Sequence, residues 1–231
     1  MTTATKDHKR LAEEAAVELA DATAEEALAW TARTFGEKFI VASNMQDAVL
    51  IDLAVQAKPD IDVLFLETGY HFAETIGTRD AIALTYPQIR IVNAEADQSV
   101  AAQEVEFGLL NRTDPTRCCF LRKVVPLQKT LANYDAWVTG VRRVDAPTRA
   151  NTPIVQWDDR NGLVKINPIA PWSDEEFNAY IAEKGILENP LVGEGYLSIG
   201  CAPCTAKPLP GQDARSGRWA GQAKTECGLH G

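Results

Sequence analysis

A chain of 231 residues that is 45% hydrophobic and 24% charged has the make-up of an ordinary globular domain and is long enough to bury a substantial core. Its net charge of −9 argues against nucleic acid or an anionic membrane as a partner held by bulk electrostatics, so any anion site must be local. Residues 1–30 are charged and alanine-rich, without the apolar segment of a secretory signal, and no apolar run reaches spanning length; the expected location is the cytoplasm.

Residues 10–20 and 24–35 read as two helices of an N-terminal extension over residues 1–36. A Thr23-x-x-Glu26 capping box opens the second and Gly36 closes it. Phe39–Ala42 is a short buried strand that runs through Ser43-Asn-Met-Gln-Asp47 into a helix, Ala48–Ala57, stopped by Pro59. That loop has the place of one that holds a nucleotide phosphate against a helix N-terminus, although it lacks glycine. Asp62–Leu66 is a second strand, Glu67–His71 a loop, Phe72–Leu84 a helix and Ile89–Val92 a third strand. Strands that are apolar on both faces and alternate with helices predict an α/β fold, a twisted and mainly parallel sheet covered on both sides. Further on, Thr113 or Asp114 can cap a helix with Pro115 in its first turn, and Pro126 should kink or interrupt it. Ala136–Gly140 is a strand delivering Arg142 and Arg143 to its C-terminal end, where open α/β sheets bind ligands. Residues 154–157 and 163–166 flank a hairpin signal at Asn161-Gly162. Ser173-x-x-Glu176 opens a helix that ends at Gly185. Residues 1–204 form one domain in this reading, and residues 205–231, rich in Gly, Pro and charge, form a mobile arm.

The five cysteines divide as four plus one. Cys118-Cys119 and Cys201-Ala-Pro-Cys204 are two pairs that one fold can bring together, and four thiolates can hold one inorganic centre. Zinc would need its sulfurs only about 3.8 Å apart. Adjacent cysteines on a helix diverge by about 100°, which favours the wider spread of an iron–sulfur cluster over zinc; buried unpaired thiols are the third reading. Cys227, alone near the C-terminus with little around it to pack, is the candidate nucleophile. Lys207, Arg215, Arg218 and Lys224 on the arm, with Arg142, Arg143 and Arg149 at the sheet edge, point to a substrate bearing several anionic oxygens. Lys123, one helical turn from Cys119, can set a positive charge between a cluster and a bound anion. His71 and the five tryptophans read more simply as structural.

Five segments together resemble the assimilatory adenylyl-sulfate and phosphoadenylyl-sulfate reductase family: Cys118-Cys-x-x-Arg-Lys-x-x-Pro-Leu127, Thr139-Gly-x-Arg-Arg143, Gly200-Cys-x-x-Cys-Thr205, Arg215-x-Gly-Arg-Trp219 and Glu226-Cys-Gly-Leu-His230. The resemblance runs from about residue 39 to the end, and the last segment is its most specific part. The double cysteine pair resembles the iron–sulfur branch, which uses adenylyl sulfate. The resemblance implies the fold of the ATP pyrophosphatases, one four-iron four-sulfur cluster on Cys118, Cys119, Cys201 and Cys204, and Cys227 as nucleophile. It implies substrate contacts from Ser43, Asn44, Gln46, Thr68, Gly69, Lys123, Arg142, Arg143, Arg215 and Arg218. It also implies an S-sulfocysteine intermediate on Cys227 released as sulfite by thioredoxin or a similar dithiol protein, in sulfate assimilation and cysteine biosynthesis. Ser43-Asn-Met-Gln-Asp47 departs from the family's glycine-containing loop. The competing readings are reduction of phosphoadenylyl sulfate, a non-catalytic iron–sulfur sensor with Cys227 as its switch, and a tRNA-thiolating enzyme, against which the acidic balance counts. The number of copies in the assembly stays open.

Overall fold

The computed structural model describes residues 3–220, 224 and 226–229. Two N-terminal helices, α1 (Thr3–Glu18) and α2 (Ala24–Phe35), precede β1 (Phe39–Ala42), α3 (Val49–Ala57), β2 (Asp62–Glu67), α4 (Ala73–Thr85) and β3 (Arg90–Glu95). Then come α5 (Val100–Phe107), α6 (Leu110–Thr113), α7 (Pro115–Cys119), a π-helical turn at Phe120–Val124, α8 (Val125–Leu131) and β4 (Ala136–Thr139). The hairpin of β5 (Val155–Asp158) and β6 (Leu163–Ile166) follows, and α9 (Asp174–Lys184) and α10 (Pro190–Gly193) complete the order. The six strands form one sheet in the order β3-β2-β1-β4-β6-β5, parallel except for β5 against β6. Among the described residues no helix is long and apolar enough to cross a membrane.

Strand periodicity splits the core in two. Phe39, Val41, Val63, Phe65, Val138, Val164 and Ile166 face a large cluster with α1, α2, α3 and the buried Ile82 of α4. Ile40, Leu64, Trp137 and Leu163 face the other way and are covered by Leu127 and Leu131 of α8. Burial on both faces is the reason these strands read as unbroken apolar runs.

The expected caps form. Thr23 and Ser173 each close a capping box, with Glu26 and Glu176 respectively, and Gly185 ends α9 in the left-handed conformation. Asp114 Oδ1 accepts the Arg117 N–H at 2.9 Å, with Pro115 in the first turn of α7. Pro126 does not break its helix. The preceding π turn, closed by the Val125 N–H on the Phe120 carbonyl, slips the ladder by one residue and leaves Pro126 in the first turn of α8, where no N–H is required. The first helix begins at Thr3 instead of residue 10, and α5 and α6 fill a stretch the sequence reading left without elements.

Residues 43–48 are backed by residues 187–189. The Ala48 N–H donates to the Leu187 carbonyl at 3.0 Å and the Asn189 N–H to the Gln46 carbonyl at 2.8 Å. The Asn189 side chain, 1% exposed, donates to the Met45 carbonyl and Thr75 Oγ1 and accepts from the Leu191 N–H. Asn189→Ala strands those buried groups and is expected to cost about 1–3 kcal/mol. A urea-unfolding midpoint equal to that of the parent would contradict this assignment.

Candidate active site

The sheet reverses its winding between β1 and β4, and a cavity of about 590 Å³ opens there at the C-terminal ends of the strands. Its walls include Ala42 at the end of β1, Leu66 near the end of β2 with Thr68 just after it, and Gly140, Val141 and Arg142 after β4. Of the predicted substrate residues, Ser43, Asn44, Gln46, Thr68, Lys123, Arg142, Arg215 and Arg218 line it, and so does Cys227. Arg143 and Gly69 do not. Arg143 Nε donates to the Thr152 carbonyl at 2.9 Å, which spends its side chain on the following loop. Gly69, at φ 71°, lets its loop pass α5: a Cβ there would lie 2.6 Å from Val100 Cγ2.

The loop after β1 differs from a phosphate cradle. Ser43 Oγ accepts the Met45 N–H at 3.1 Å, Asn44 Oδ1 the Gln46 N–H at 3.1 Å, and Asp47 Oδ1 the Val49 N–H at 3.0 Å. Polar side chains in place of glycine take the very donors a phosphate would use, and Met45 bears the positive φ of 59°. Gln46 holds the opposite wall, donating to the Leu197 carbonyl and accepting from the Ile199 N–H.

The cations are held in different ways. Arg142 pairs with Asp145 at 3.0 Å and Asp174 at 2.9 Å and lies over the Phe177 ring. Arg218 has no carboxylate within ion-pair distance among the described residues. It donates to Ser198 Oγ and the Ile199 carbonyl and stacks on Trp219, and burial together with Arg215 pushes its pKa down. Lys123 also lacks a hydrogen bond or ion pair among the described residues. Burial alone would lower its pKa, but the thiols of Cys201, Cys227 and Cys119 outweigh that and raise it.

Behind Lys123 a second, small void is lined by all four of Cys118, Cys119, Cys201 and Cys204, with Thr68, Arg122, Lys123, Arg218 and Trp219. Lys123, Arg218 and Trp219 therefore border both spaces. Burial and the neighbouring thiols push Cys118 and Cys204 up to about 11, and burial raises Cys119 against the opposing charges of Lys123 and Lys224. The thiols are thus close enough to repel one another as anions. Among the described residues no three His, Cys, Asp or Glu side chains are set to hold a single metal ion. Thr68 Oγ1 lies 3.4 Å from Cys201 Sγ.

Among its described residues the segment after Cys204 has no helix or strand, as expected, yet it is packed. The Ala206 N–H donates to the Gly217 carbonyl and the Trp219 N–H to the Cys204 carbonyl, and Trp219 is 2% exposed. Cys227 is likewise better surrounded than the sequence suggested: it is half-buried, and Leu229 packs against the second core cluster. His230 of the tail motif lies outside the described residues. Sequence reasoning passed over Asp145 and Glu226, which organise the arginines, and treated Trp219 as packing only; nothing local in the sequence marks these roles except the tail motif around Glu226.

Residues 38–207 match the model of the phosphoadenosine phosphosulfate reductase domain. The chain belongs to this family. A protein named adenosine 5′-phosphosulfate reductase from Mycolicibacterium smegmatis is 61% identical over 232 residues, covering 100% of this chain and 98% of its own. One of the same name from Mycobacteroides abscessus is 63% identical, covering 99% and 98%. Among solved structures, phosphoadenylyl-sulfate reductase from Candida auris in a phosphate complex has a TM-score of 0.71 at 26% identity, over 84% of this chain and 96% of that one. The FMN adenylyltransferase of Candida glabrata, with FAD and inorganic pyrophosphate, has a TM-score of 0.58 at 12% identity over 87% and 74%, a likeness of fold alone. The expected fold, that of the ATP pyrophosphatases, also called adenine nucleotide alpha hydrolases, is thus the one this chain has.

Asp47 was read only as part of its loop, yet its carboxyl is distinctive. Burial, with a smaller push from Glu188, raises its pKa from 3.8 to about 6 against the Val49 N–H and Arg142. A raised carboxyl favours the protonated fold, so its cost is absent at low pH, grows as pH rises from about 4 to about 6 and is complete above. Asp47→Asn, which keeps an acceptor for Val49, is expected to stabilise by on the order of 1–3 kcal/mol at about pH 8 and little at about pH 4. Equal unfolding-midpoint shifts at both pH values would contradict this.

Proposed function

We propose that this chain is an adenylyl-sulfate reductase, converting adenosine 5′-phosphosulfate to sulfite and AMP. The observation that carries the reading is that Cys227 shares one nucleotide-sized cavity with Lys123, Arg142, Arg215 and Arg218, on a chain whose relatives bear that name over their full length. The Cys227 thiolate attacks the substrate's sulfur atom. A sulfur–sulfur bond forms, the sulfur–oxygen bond to AMP breaks, and the enzyme carries S-sulfocysteine. The cations neutralise phosphate and sulfate oxygens that would repel an incoming thiolate, and Arg218 and Lys123, with no carboxylate partner among the described residues, have their charge least spent on the protein itself. A thiolate of thioredoxin or a similar dithiol protein then attacks the Cys227 sulfur, expelling sulfite and leaving a mixed disulfide, which the partner's second thiol resolves. Ser43 and Asn44, in the loop after β1, and Thr68, beside the cysteine void, contribute polar groups to the same cavity.

Cys118, Cys119, Cys201 and Cys204 fit a four-iron four-sulfur cluster by their chemistry: four thiols, the ligand set of such a cluster, border one void. When bound, the cluster supplies a fixed inorganic anchor and a local charge. Lys123 then stands between that anchor and the substrate's anionic groups.

Incubation with adenosine 5′-phosphosulfate alone is expected to add one sulfonate to Cys227, seen by intact mass and peptide mapping. A protein that releases sulfite with no such adduct contradicts the mechanism. Arg218→Ala is expected to lower kcat/KM by about 1.5–3 kcal/mol in activation free energy, the value of a charged hydrogen bond; unchanged kinetics would remove it from the site. The ratio of kcat/KM for adenosine 5′-phosphosulfate over its 3′-phosphorylated form should be well above unity, and a reversed ratio would favour phosphoadenylyl-sulfate reduction.

A further inference from the structure

The residues on either side of Cys227 are fastened. On one side Glu226 Oε2 accepts from Arg215 Nη2 at 3.0 Å and from Arg149 Nη2 at 3.3 Å. On the other, the Gly228 carbonyl accepts from Arg160 Nη1, and Leu229 packs into the second core cluster. The Glu226 contact ends a row of alternating charge along the cavity wall. Asp174 pairs with Arg142, Arg142 with Asp145, and Asp145 with Arg149 at 3.3 Å; Arg149 then meets Glu226, and Glu226 meets Arg215. The side chains of Arg149, Arg215 and Glu226 are only 14%, 17% and 22% exposed, so this pairing is screened less than a surface ion pair.

One carboxylate oxygen thus meets two guanidinium groups at the wall that would receive an anionic substrate. We propose that Glu226 is a positioning residue for Cys227 and an internal stand-in for the substrate anion: with the site empty it latches the arm onto Arg149 and Arg215, and substrate takes Arg215 from it. This rests on the reductase reading only in naming the anion; the latch itself is a property of the nucleotide-free protein. The exchange is an ion-pair swap and needs no bond change. Arg149 carries a buried Nε–H with no hydrogen-bond partner among the described residues and keeps Asp145 as a neighbour. Its pairing with Asp145 makes Arg149 the end that stays in place, and Arg215 is assigned the change of partner. After the swap Glu226 keeps one arginine instead of two, which holds the thiol over the cavity yet eases later departure of the arm to meet a second protein.

The test is the rate at which neutral iodoacetamide alkylates Cys227 in anaerobically purified, nucleotide-free protein, read on the Cys227 peptide, for the parent, Glu226→Gln, Arg149→Gln and the double variant. A latch predicts that both single variants react several-fold faster than the parent and that the double variant is no faster than the faster single one. A mere charge effect on the thiol predicts opposite signs, faster without the carboxylate and slower without the guanidinium; that pattern, or rates equal to the parent's, overturns the proposal. In turnover the latch predicts that Glu226→Gln lowers KM, because the Glu226 carboxylate no longer competes for Arg215, and lowers kcat, because the thiol is less well held; a higher KM overturns it. Loss of the reductase reading would show as a parent without sulfite formation and would leave the alkylation result standing.

Discussion

Two main-chain hydrogen bonds fold the chain back onto its cysteine turn, Ala206 N–H to the Gly217 carbonyl and Trp219 N–H to the Cys204 carbonyl, and the placement of the site follows from them. They lay Trp219 against the void of the four cysteines and turn Arg215 and Arg218 toward the cavity. The close approach needs the two glycines of those motifs. A Cβ on Gly217 would lie 1.9 Å from the Ala206 carbonyl oxygen, and one on Gly200 would lie 2.1 Å from Arg218 Nη2. The arm is thus a folded continuation of the cysteine-bearing turn as far as Trp219, and Cys227 lines the same cavity.

The second constraint is electrostatic. A protein of net charge −9 concentrates Lys123, Arg142, Arg149, Arg215 and Arg218 around one space, where burial alone disfavours each charge. Arg142, Arg149 and Arg215 meet that cost with internal carboxylates, and Arg218 with the face of Trp219 and the segment at Ser198–Ile199. Lys123 is balanced by nearby thiols. The cations lacking carboxylates among the described residues, Lys123 and Arg218, border both the cavity and the cysteine void. A mainly acidic surface and a basic interior wall therefore belong to one design, in which attraction acts only at short range.

Much of this was legible because it rests on local chemistry. Apolar runs such as Phe39–Ala42 and Asp62–Leu66 had to be buried strands, Thr23 and Ser173 had partners three residues on, and four cysteines in two pairs with one to spare stated their division. What stayed hidden depends on contacts between distant residues. Arg142 and Arg143 are adjacent and alike, and only the path of the chain at Thr152 sends one away from the cavity. Pro126 promised a break, and a π turn five residues long absorbed it. The loop at Ser43–Asp47 sat where a phosphate loop belongs, but its Ser, Asn and Asp side chains consume its own N–H groups. Glu226 carried no charge pattern linking it to Arg149 across 77 positions.

The account is tested most directly by residue-resolved hydrogen exchange on the nucleotide-free protein at the amides of Ala206 and Trp219. It predicts marked slowing at both, comparable with amides of the turn at Cys201–Cys204, since the return of the chain onto that turn is what sets Arg215 and Arg218 at the cavity. Exchange of both amides at the rate of an unstructured chain would show that the arm does not close on the cysteine turn, and would contradict the placement of the site derived from it.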